Sequence, residues 1–172
     1  MDPFKTQFII EGCDCTGKTS LINSLLNFFK ENKVYAPVVK FSAPVDPKQY
    51  EGVAHNWLNM AENMVEPIIF DRFVFSERVY GPIFRKSYPI YMDEVEKQLP
   101  SSFVLVLVEA SPENVKKRFD GEFIDEEQIE EILFRYGKEF SLSPMKNKIL
   151  INTDKLTPYE AAKYLIAKVM EI

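Results

Sequence analysis

One loop near the start of the chain constrains the fold more than any other stretch. The apolar residues 8–10 lead into G-C-D-C-T-G-K-T at residues 12–19, and residues 20–29 continue with helical spacing. A strand, a G-x-x-x-x-G-K-T loop and a helix, in this order, are typical of a phosphate-binding loop, or P-loop. Its glycines let several backbone N–H groups point at one anion, and the helix N-terminus adds partial positive charge. A plain glycine turn is the alternative, which the agreement of motif and context disfavours.

The P-loop assigns roles to its residues. We expect Lys18 to reach the β- and γ-phosphates of a bound nucleotide and the Thr19 hydroxyl to bind Mg²⁺. The residues predicted to bind the phosphates are Gly12, Cys13, Asp14, Cys15, Thr16, Gly17, Lys18, Thr19 and Ser20.

Length and charge limit the other classes of protein. The 172 residues are enough for one domain, residues 1–172, with a full core. The net charge of −5 argues against a general nucleic-acid-binding surface, so we expect no stable nucleic-acid partner. No apolar run approaches the length of a membrane span, and the N-terminus lacks the apolar core of a signal peptide. We therefore expect no membrane association and an intracellular, cytoplasmic protein.

Both cysteines, Cys13 and Cys15, lie inside the loop. Two residues this close in a tight loop are poorly placed for a disulfide, and a Cys-x-Cys pair in a chain with one histidine cannot complete a zinc site. One interpretation is that both are reduced thiols that serve as small side chains. The other is that the helix N-terminus favours the thiolate, so that oxidation inactivates the protein.

Strand and helix patterns alternate along the chain. Apolar runs predict strands over residues 7–10, 34–41, 68–70, 103–108 and 148–152. Helices are predicted over residues 18–31, 48–65, 73–86 with an interruption at Gly81-Pro82, 91–98, 112–119, 126–140 and 157–171. This alternation predicts an α/β fold with a five-stranded parallel sheet and helices on both faces. Ligands are expected at the carboxyl ends of the strands.

A carboxylate and a guanidinium follow the third predicted strand. Asp71 and Arg72 stand at the end of residues 68–70, at the same edge of the sheet as the P-loop. Asp71 could orient Mg²⁺ through water or receive a proton from the phosphate acceptor, and Arg72 could clamp an acceptor phosphate. The alternative is a structural Asp–Arg ion pair, which the neighbouring P-loop makes less attractive.

Two motifs resemble those of thymidylate kinases. F-I-I-E-G-C-D-C-T-G-K-T at residues 8–19 resembles the F-x-E-G-x-D-x-x-G-K-T loop of that family, and D-R-F-V-F-S at residues 71–76, followed by Tyr80-Gly81, is similar to its D-R-Y/F-x-x-S segment. The rest of the chain matches in layout. The resemblance implies a three-layer αβα P-loop kinase fold with a short lid at about residues 117–127, ATP and Mg²⁺ as cofactors, and small nucleotides as partners. Homodimers are frequent in the family, so it also offers a homodimer as one option.

The resemblance also implies roles for single residues. Lys18, Asp71, Arg72 and Arg118 would be catalytic, with Thr19 and Asp71 on the metal side. The acceptor nucleotide would be bound by Asp14, Phe41, Trp57, Arg72, Ser76 and Tyr80. For Phe41 and Tyr80, ordinary core packing is the alternative.

The chain departs from the family pattern at two places. Family members have arginine or glycine where Cys15 stands, so positive charge for the transition state must come from elsewhere, and the candidates are Lys116, Lys117, Arg118 and Arg135. Arg118 could instead stack on adenine. Residues 54–58 lack the arginine that reads thymine in the family. Trp57 could stack on a base there, with His55 or Asn56 as a hydrogen-bonding partner.

The predicted activity is ATP-dependent phosphoryl transfer to a nucleoside monophosphate, with dTMP as the first choice of acceptor. A deoxynucleoside kinase and a kinase of polynucleotide 5′-hydroxyl ends are the alternative enzymes. A nucleotide-binding switch is the non-enzyme alternative, although N-T-D-K at residues 152–155 has the wrong order for the guanine motif of GTPases.

Overall fold

The computed structural model describes residues 1–43, 47–86, 88–119, 121 and 124–172, with residues 47–49 described by their backbone alone. The strands are β1 Gln7–Glu11, β2 Val38–Lys40, β3 Ile69–Asp71, β4 Phe103–Glu109 and β5 Lys148–Asn152. The α-helices are α1 Lys18–Glu31, α2 Pro47–Glu62, α3 Val74–Tyr80, α4 Tyr91–Lys97, α5 Pro112–Arg118, α6 Ile129–Leu142 and α7 Pro158–Glu171.

The five strands form one sheet in the order β2-β3-β1-β4-β5, and every neighbouring pair is parallel. Strand β1 is central, with Ile10 beside Asp71 of β3 on one side and beside Val106 of β4 on the other. The predicted α/β architecture with a five-stranded parallel sheet is therefore confirmed. It brings the P-loop after β1 and Arg72 after β3 to the same edge of the sheet.

Alternate residues of β1 supply two separate cores. Phe8 and Ile10 point to one face of the sheet, where they pack with apolar residues of α1 and α7. Ile9 points to the other face, where Phe70 and Phe73 belong to the larger core. Apolar side chains on both faces of a strand are expected for a parallel sheet covered by helices on both sides.

Strand β2 is shorter than predicted, because its expected first residues have other roles. The Val34 N–H donates to Phe29 O at 2.9 Å and so closes the end of α1. Tyr35 is exposed, and Pro37 has no N–H for the ladder, although its carbonyl accepts from Ile69 at 2.9 Å. The prediction of a strand from residue 34 was therefore wrong by four residues.

The interruption predicted at Gly81-Pro82 is a change of helix type. Helix α3 runs directly into a five-residue π-helix, Gly81–Arg85, and Lys86 ends it in the left-handed region with φ of 52°. π-Helical turns are rare and often occur at functional sites.

The predicted lid lies partly outside the described residues. Asp120, Glu122 and Phe123 fall there, as do residues 44–46 of the predicted loop before α2. Within residues 124–172, the predicted helix over residues 126–140 begins as a 3-10 turn, Glu126–Gln128, before α6. No helix in the described part of the chain is long and apolar enough to cross a membrane.

We expect Gly12→Ala to prevent the P-loop from packing against β4. Gly12 has a φ of 148°, and a Cβ built on it would lie 2.3 Å from Val108 O, a backbone atom that cannot move aside. The free energy of unfolding, measured in urea, should fall by at least about 2 kcal/mol.

Gly52→Ala provides the matched control. Gly52 lies within α2, and a Cβ there has nothing within 4 Å, so alanine should stabilise the protein by about 0.5–1 kcal/mol. Equal effects of the two substitutions would contradict the close approach of the loop to β4.

Candidate active site

Two glycines set the path of the P-loop. Gly12 leaves β1 with φ of 148°, and Gly17 precedes α1 with φ of 96°. Cys15 also has a positive φ of 62°, which a residue with a side chain adopts at some cost. Thr16 holds the loop closed, because its Oγ1 donates to Cys13 O at 2.8 Å. The backbone therefore curves as the motif predicts.

Lys18 is buried at the start of α1. Its Nζ donates to Cys13 O at 2.6 Å, so the ammonium group lies within the curve of the loop. Burial, with a smaller contribution from the charge of Arg72, lowers the pKa of Lys18 from its ordinary 10.5 to about 8. A cation held in a site that disfavours its own charge is suited to receive an anion.

Thr153, which follows β5, braces the loop from outside. Its Oγ1 donates to Thr16 O at 2.7 Å. Arg118, at the end of α5, donates from Nη1 to Thr153 Oγ1 at 3.1 Å and from Nη2 to Thr153 O at 3.3 Å. The predicted catalytic Arg118 therefore lies next to the P-loop, one side chain away. Thr153 was not predicted as a site residue, since nothing in its local sequence indicates this contact.

The other candidate cations are engaged elsewhere. Lys116 pairs with Glu130 at 3.0 Å and Lys117 with Glu113 at 2.7 Å. Arg135 pairs with Glu131 at 2.7 Å, one turn away on the same helix. These pairs are on the surface, where an ion pair contributes little stability and the cation can leave its partner for another anion.

Arg72 is the centre of the polar network beside the P-loop. Its φ of 66° turns the chain after β3, and its backbone N–H still donates to Ile10 O of β1 at 3.0 Å. Nη1 donates to Gly12 O at 3.2 Å, to Ser76 Oγ at 3.3 Å and to Tyr136 Oη at 2.9 Å. Non-glycine residues in this conformation are uncommon and occur often at functional sites.

Asp14 of the loop faces Arg72. The carboxylate forms an ion pair with Nη2 of Arg72 and accepts a hydrogen bond from Tyr80 Oη at 2.9 Å. The Arg72 guanidinium also lies over the Tyr80 ring, 5.2 Å from its centroid. Burial acts to lower the pKa of Arg72, but the nearby Tyr136, Tyr80 and Asp14 outweigh it and the pKa is raised. The guanidinium therefore stays charged.

Glu11 joins this network to the start of α3. Its Oε1 accepts from the backbone N–H groups of Phe73 at 2.7 Å and Phe75 at 2.9 Å, and its Oε2 accepts from Ser76 Oγ at 2.6 Å. Tyr136 Oη lies 2.8 Å from Ser76 Oγ. Burial raises the pKa of Glu11, although Ser76, Arg72 and the two N–H groups act to lower it. A fully buried carboxylate thus fixes the segment that carries Arg72 and Ser76.

We expect Glu11→Ala to destabilise the protein by at least about 3 kcal/mol, because the substitution leaves several buried donors at the start of α3 without an acceptor. Urea unfolding measures the loss. Glu109→Ala is the control: Glu109 ends the neighbouring strand β4, and its side chain accepts from Asn152 at 3.2 Å, so the loss should be about 1 kcal/mol or less. Similar losses would show that the Glu11 bonds are weak.

A cavity of about 550 Å³ opens beside the P-loop. Its volume is typical of small-molecule sites. The described lining residues come from the P-loop, the end of β2 and the loop after it, α2, Arg72 and α3, the π-helix and residue 124: Asp14, Lys40, Phe41, Ser42, Ala43, Tyr50, Arg72, Ser76, Glu77, Tyr80, Phe84, Arg85 and Ile124.

Five of the six residues predicted to bind the acceptor line this cavity, and Trp57 does not. The Trp57 ring is partly buried and instead packs edge-on against Phe70 of the larger core, with centroids 6.4 Å apart. Phe41 combines both expected roles, because it lines the cavity and also packs against Phe73 with centroids 4.8 Å apart. The predicted stacking of Trp57 on a base is therefore not supported by its position.

The thiolate interpretation fails for Cys13. Its side chain is fully buried, and burial raises the pKa of the thiol to about 12, in spite of the nearby Lys18. At neutral pH the group is a protonated thiol that fills space behind the loop.

The two residues on the predicted metal side, Thr19 and Asp71, offer oxygen atoms of the kind that Mg²⁺ binds. Thr19 lies in the first turn of α1 with its side chain exposed, and Asp71 ends the adjacent strand β3. The charge of Asp71 acts on Lys18 in the direction of a higher pKa. Among the described residues no cluster of three or more histidine, cysteine and acidic side chains could hold a metal. One or two oxygen ligands suit Mg²⁺, which keeps waters and binds substrate phosphates.

Comparisons with known proteins agree with this architecture. Models of known families give no match, and neither do curated protein sequences. Among solved structures, the YorR protein of Bacillus subtilis in complex with phosphorylated GDP has a TM-score of 0.74 and 25% sequence identity to this chain, over 96% of each chain. The likeness over nearly the full length supports a P-loop kinase-like αβα fold.

Proposed function

We propose that the protein transfers a phosphoryl group from ATP to a nucleoside monophosphate. One observation carries the proposal: the P-loop and the Arg72 network border the same cavity, with Asp14 belonging to both. A loop for the donor phosphates next to a cation for an acceptor phosphate is what this reaction requires. The nucleotide complex of YorR adds support from a related fold.

On the donor side, the loop backbone and Lys18 would bind the phosphates of ATP. The Lys18 ammonium group, now bonded to Cys13 O, would turn to the β- and γ-phosphates. Arg118 contacts Thr153, which in turn contacts the P-loop at Thr16. The exposed guanidinium of Arg118 would contact either the transferred phosphoryl group or the adenine.

On the acceptor side, Arg72 would bind the monophosphate. A guanidinium offers parallel N–H donors that match two phosphate oxygens, and Arg72 is held in place through Tyr136 and Ser76. Asp14 and the Tyr80 hydroxyl would face the sugar. The chain thus positions both substrates, which accounts for most of the catalysis in phosphoryl transfer.

Thr19 and Asp71 would hold Mg²⁺ together with the donor phosphates. When bound, the ion would supply positive charge against the negative charge that develops on the phosphate groups during transfer. The alternative role of Asp71 is to receive a proton from the acceptor phosphate.

The base of the acceptor is the open part of the proposal. The resemblance to thymidylate kinases favours dTMP, whereas the YorR complex contains a guanine nucleotide. The segment expected to read thymine contributes no described residue to the cavity. Both bases therefore belong in the assay.

The test is ADP release from ATP and Mg²⁺ with each of dTMP, dUMP, dGMP, GMP, dAMP and dCMP, and with thymidine and a 5′-hydroxyl oligonucleotide. We expect turnover with at least one monophosphate and none with thymidine. Turnover with only thymidine or the oligonucleotide would refute the proposal and favour a deoxynucleoside or polynucleotide kinase. Tight GTP binding without acceptor-dependent turnover would favour a nucleotide-binding switch.

A further inference from the structure

The wall of the cavity carries an ion pair that the proposed reaction does not use. Glu77 Oε2 accepts from Arg85 Nη2 at 2.5 Å, and both residues line the cavity. We infer that this pair reads the base of the acceptor and selects guanine. The inference rests on the proposed function, since it names the class of monophosphate that the same cavity takes.

The π-helix brings the two residues together. Glu77 lies in α3 and Arg85 is the last residue of the π-helix, eight positions later. In an unbroken α-helix, side chains eight positions apart point about 80° away from each other. A π turn contains more residues, so each residue rotates the chain less. The change of helix type therefore turns Arg85 toward the face that carries Glu77.

The burial of the pair indicates a use other than stability. Glu77 is 4% exposed, while Arg85 is 31% exposed and lies nearer the opening. Removing a carboxylate from water costs more than a single ion pair usually returns, and an apolar pair would pack as well. Buried charges that face a cavity are typical of ligand recognition.

Guanine is the base whose edge matches this pair. Its O6 accepts, and the adjacent N1–H and N2–H donate side by side. Arg85 only donates and an ionised Glu77 only accepts, so Arg85 would meet O6 while the carboxylate would meet both N–H groups.

The other bases match the pair less completely than guanine does. Thymine has a single N–H between two carbonyl oxygens, so one of its oxygens would face the carboxylate. Adenine and cytosine each offer one amino donor to the carboxylate beside a ring nitrogen that accepts from Arg85, so each lacks the second N–H that guanine presents to Glu77. An unpaired or opposed polar group in a closed site is what gives a large discrimination between ligands.

Aromatic side chains that line the cavity would contact the faces of the base. Phe84 is 48% exposed and stacks on Tyr80, with centroids 5.9 Å apart. Phe41 and Tyr50 also line the cavity and pack edge-on against each other, with centroids 5.5 Å apart, but both are buried. The exposed face of Phe84 suits stacking by any base, so it adds affinity while the ion pair determines which base is bound.

The first test uses the wild-type protein and needs no catalysis. Calorimetric titration with dGMP, GMP, dTMP, dAMP and dCMP in the absence of ATP should show guanine monophosphates bound at least about 10-fold more tightly than dTMP. Initial rates with ATP and Mg²⁺ should give the same order. A preference for dTMP in the titrations would overturn the inference.

The second test replaces the two side chains that we expect to contact the base, Glu77 and Arg85. Glu77→Gln keeps the size of the side chain but replaces one acceptor by a donor, so the ratio of dGMP to dTMP affinity should fall about 10- to 100-fold. Arg85→Met, at the more exposed partner, should lower the same ratio, and it replaces Glu77→Gln as the test if that variant does not fold. A ratio that stays unchanged in a folded variant would overturn the inference.

Glu96→Gln is the matched control. Glu96 forms a buried ion pair with Arg78 at 2.5 Å, between α3 and α4, and neither residue is among those that line the cavity in the described part of the chain. Its loss should reduce stability and leave the base ratio unchanged; an equal change of the ratio would overturn the inference. Absence of turnover with every monophosphate would refute the proposed kinase activity, while the titrations would still decide the choice of base.

Discussion

Replacing Lys18 with methionine is expected to abolish phosphoryl transfer and to stabilise the protein at the same time. Turnover should fall at least about 100-fold with any acceptor, because the charge that binds the donor phosphates is lost. The free energy of unfolding at pH 7 should rise by about 1–3 kcal/mol, because methionine removes a buried charge. The loss of the hydrogen bond to Cys13 O offsets only part of this gain. Steady-state ADP release and urea unfolding measure the two effects.

The pH dependence distinguishes this explanation from a simple gain in packing. The pKa of Lys18 is about 8 in the folded protein and 10.5 without the surrounding fold. Between these values the unfolded chain holds a proton that the folded chain has released, so the wild-type protein gains stability as the pH rises. The advantage of Lys18→Met should therefore be full below pH 8 and shrink toward pH 10.5.

Lys30→Met is the control for both measurements. Lys30 lies in the last turn of α1 with its side chain exposed, so neither turnover nor the pH dependence of stability should change. Substantial turnover of Lys18→Met would contradict the proposed role of the P-loop. A stability difference that stays constant from pH 7 to pH 10.5 would contradict the burial of a charged lysine.

The sequence predicts the conformation of the P-loop well, because that loop is local. The glycine positions, Lys18 and the first turn of α1 follow one another within a few residues, and a strand followed by this loop leaves little choice of conformation. The position of Arg72 beside the loop also follows from a simple rule, since the carboxyl ends of parallel strands meet at one edge.

The remainder of the site depends on contacts between distant parts of the chain. Tyr136 is 64 residues from Arg72 and Thr153 is 137 residues from Thr16, so no local pattern reveals either contact. Glu11 belongs to a motif, but its role as the acceptor for the first N–H groups of α3 emerges only when β1 and β3 are side by side. The Glu77–Arg85 pair depends on a π turn, which the sequence indicates only as an interruption at Gly81-Pro82.

We expect Arg72→Met to reduce the use of a monophosphate far more than the binding of ATP. The value of kcat/KM for the acceptor should fall about 100- to 1000-fold, because methionine keeps the stem of the side chain and removes both the phosphate-binding fork and the partner of Asp14. The dissociation constant of ATP, measured by calorimetry, should change less than about 3-fold, which corresponds to a loss of less than about 0.7 kcal/mol of binding free energy.

Tyr136→Phe separates the charge of Arg72 from its position. This variant keeps the ring and removes the hydroxyl group that accepts from Arg72 at 2.9 Å and lies 2.8 Å from Ser76 Oγ. The guanidinium stays but is held less firmly, so kcat/KM for the acceptor should fall about 10-fold, about the worth of one hydrogen bond to a charged group. If Arg72→Met weakened ATP binding as much as acceptor use, Arg72 would belong to the donor side or support the fold of the P-loop, and the cavity would lose its acceptor phosphate site.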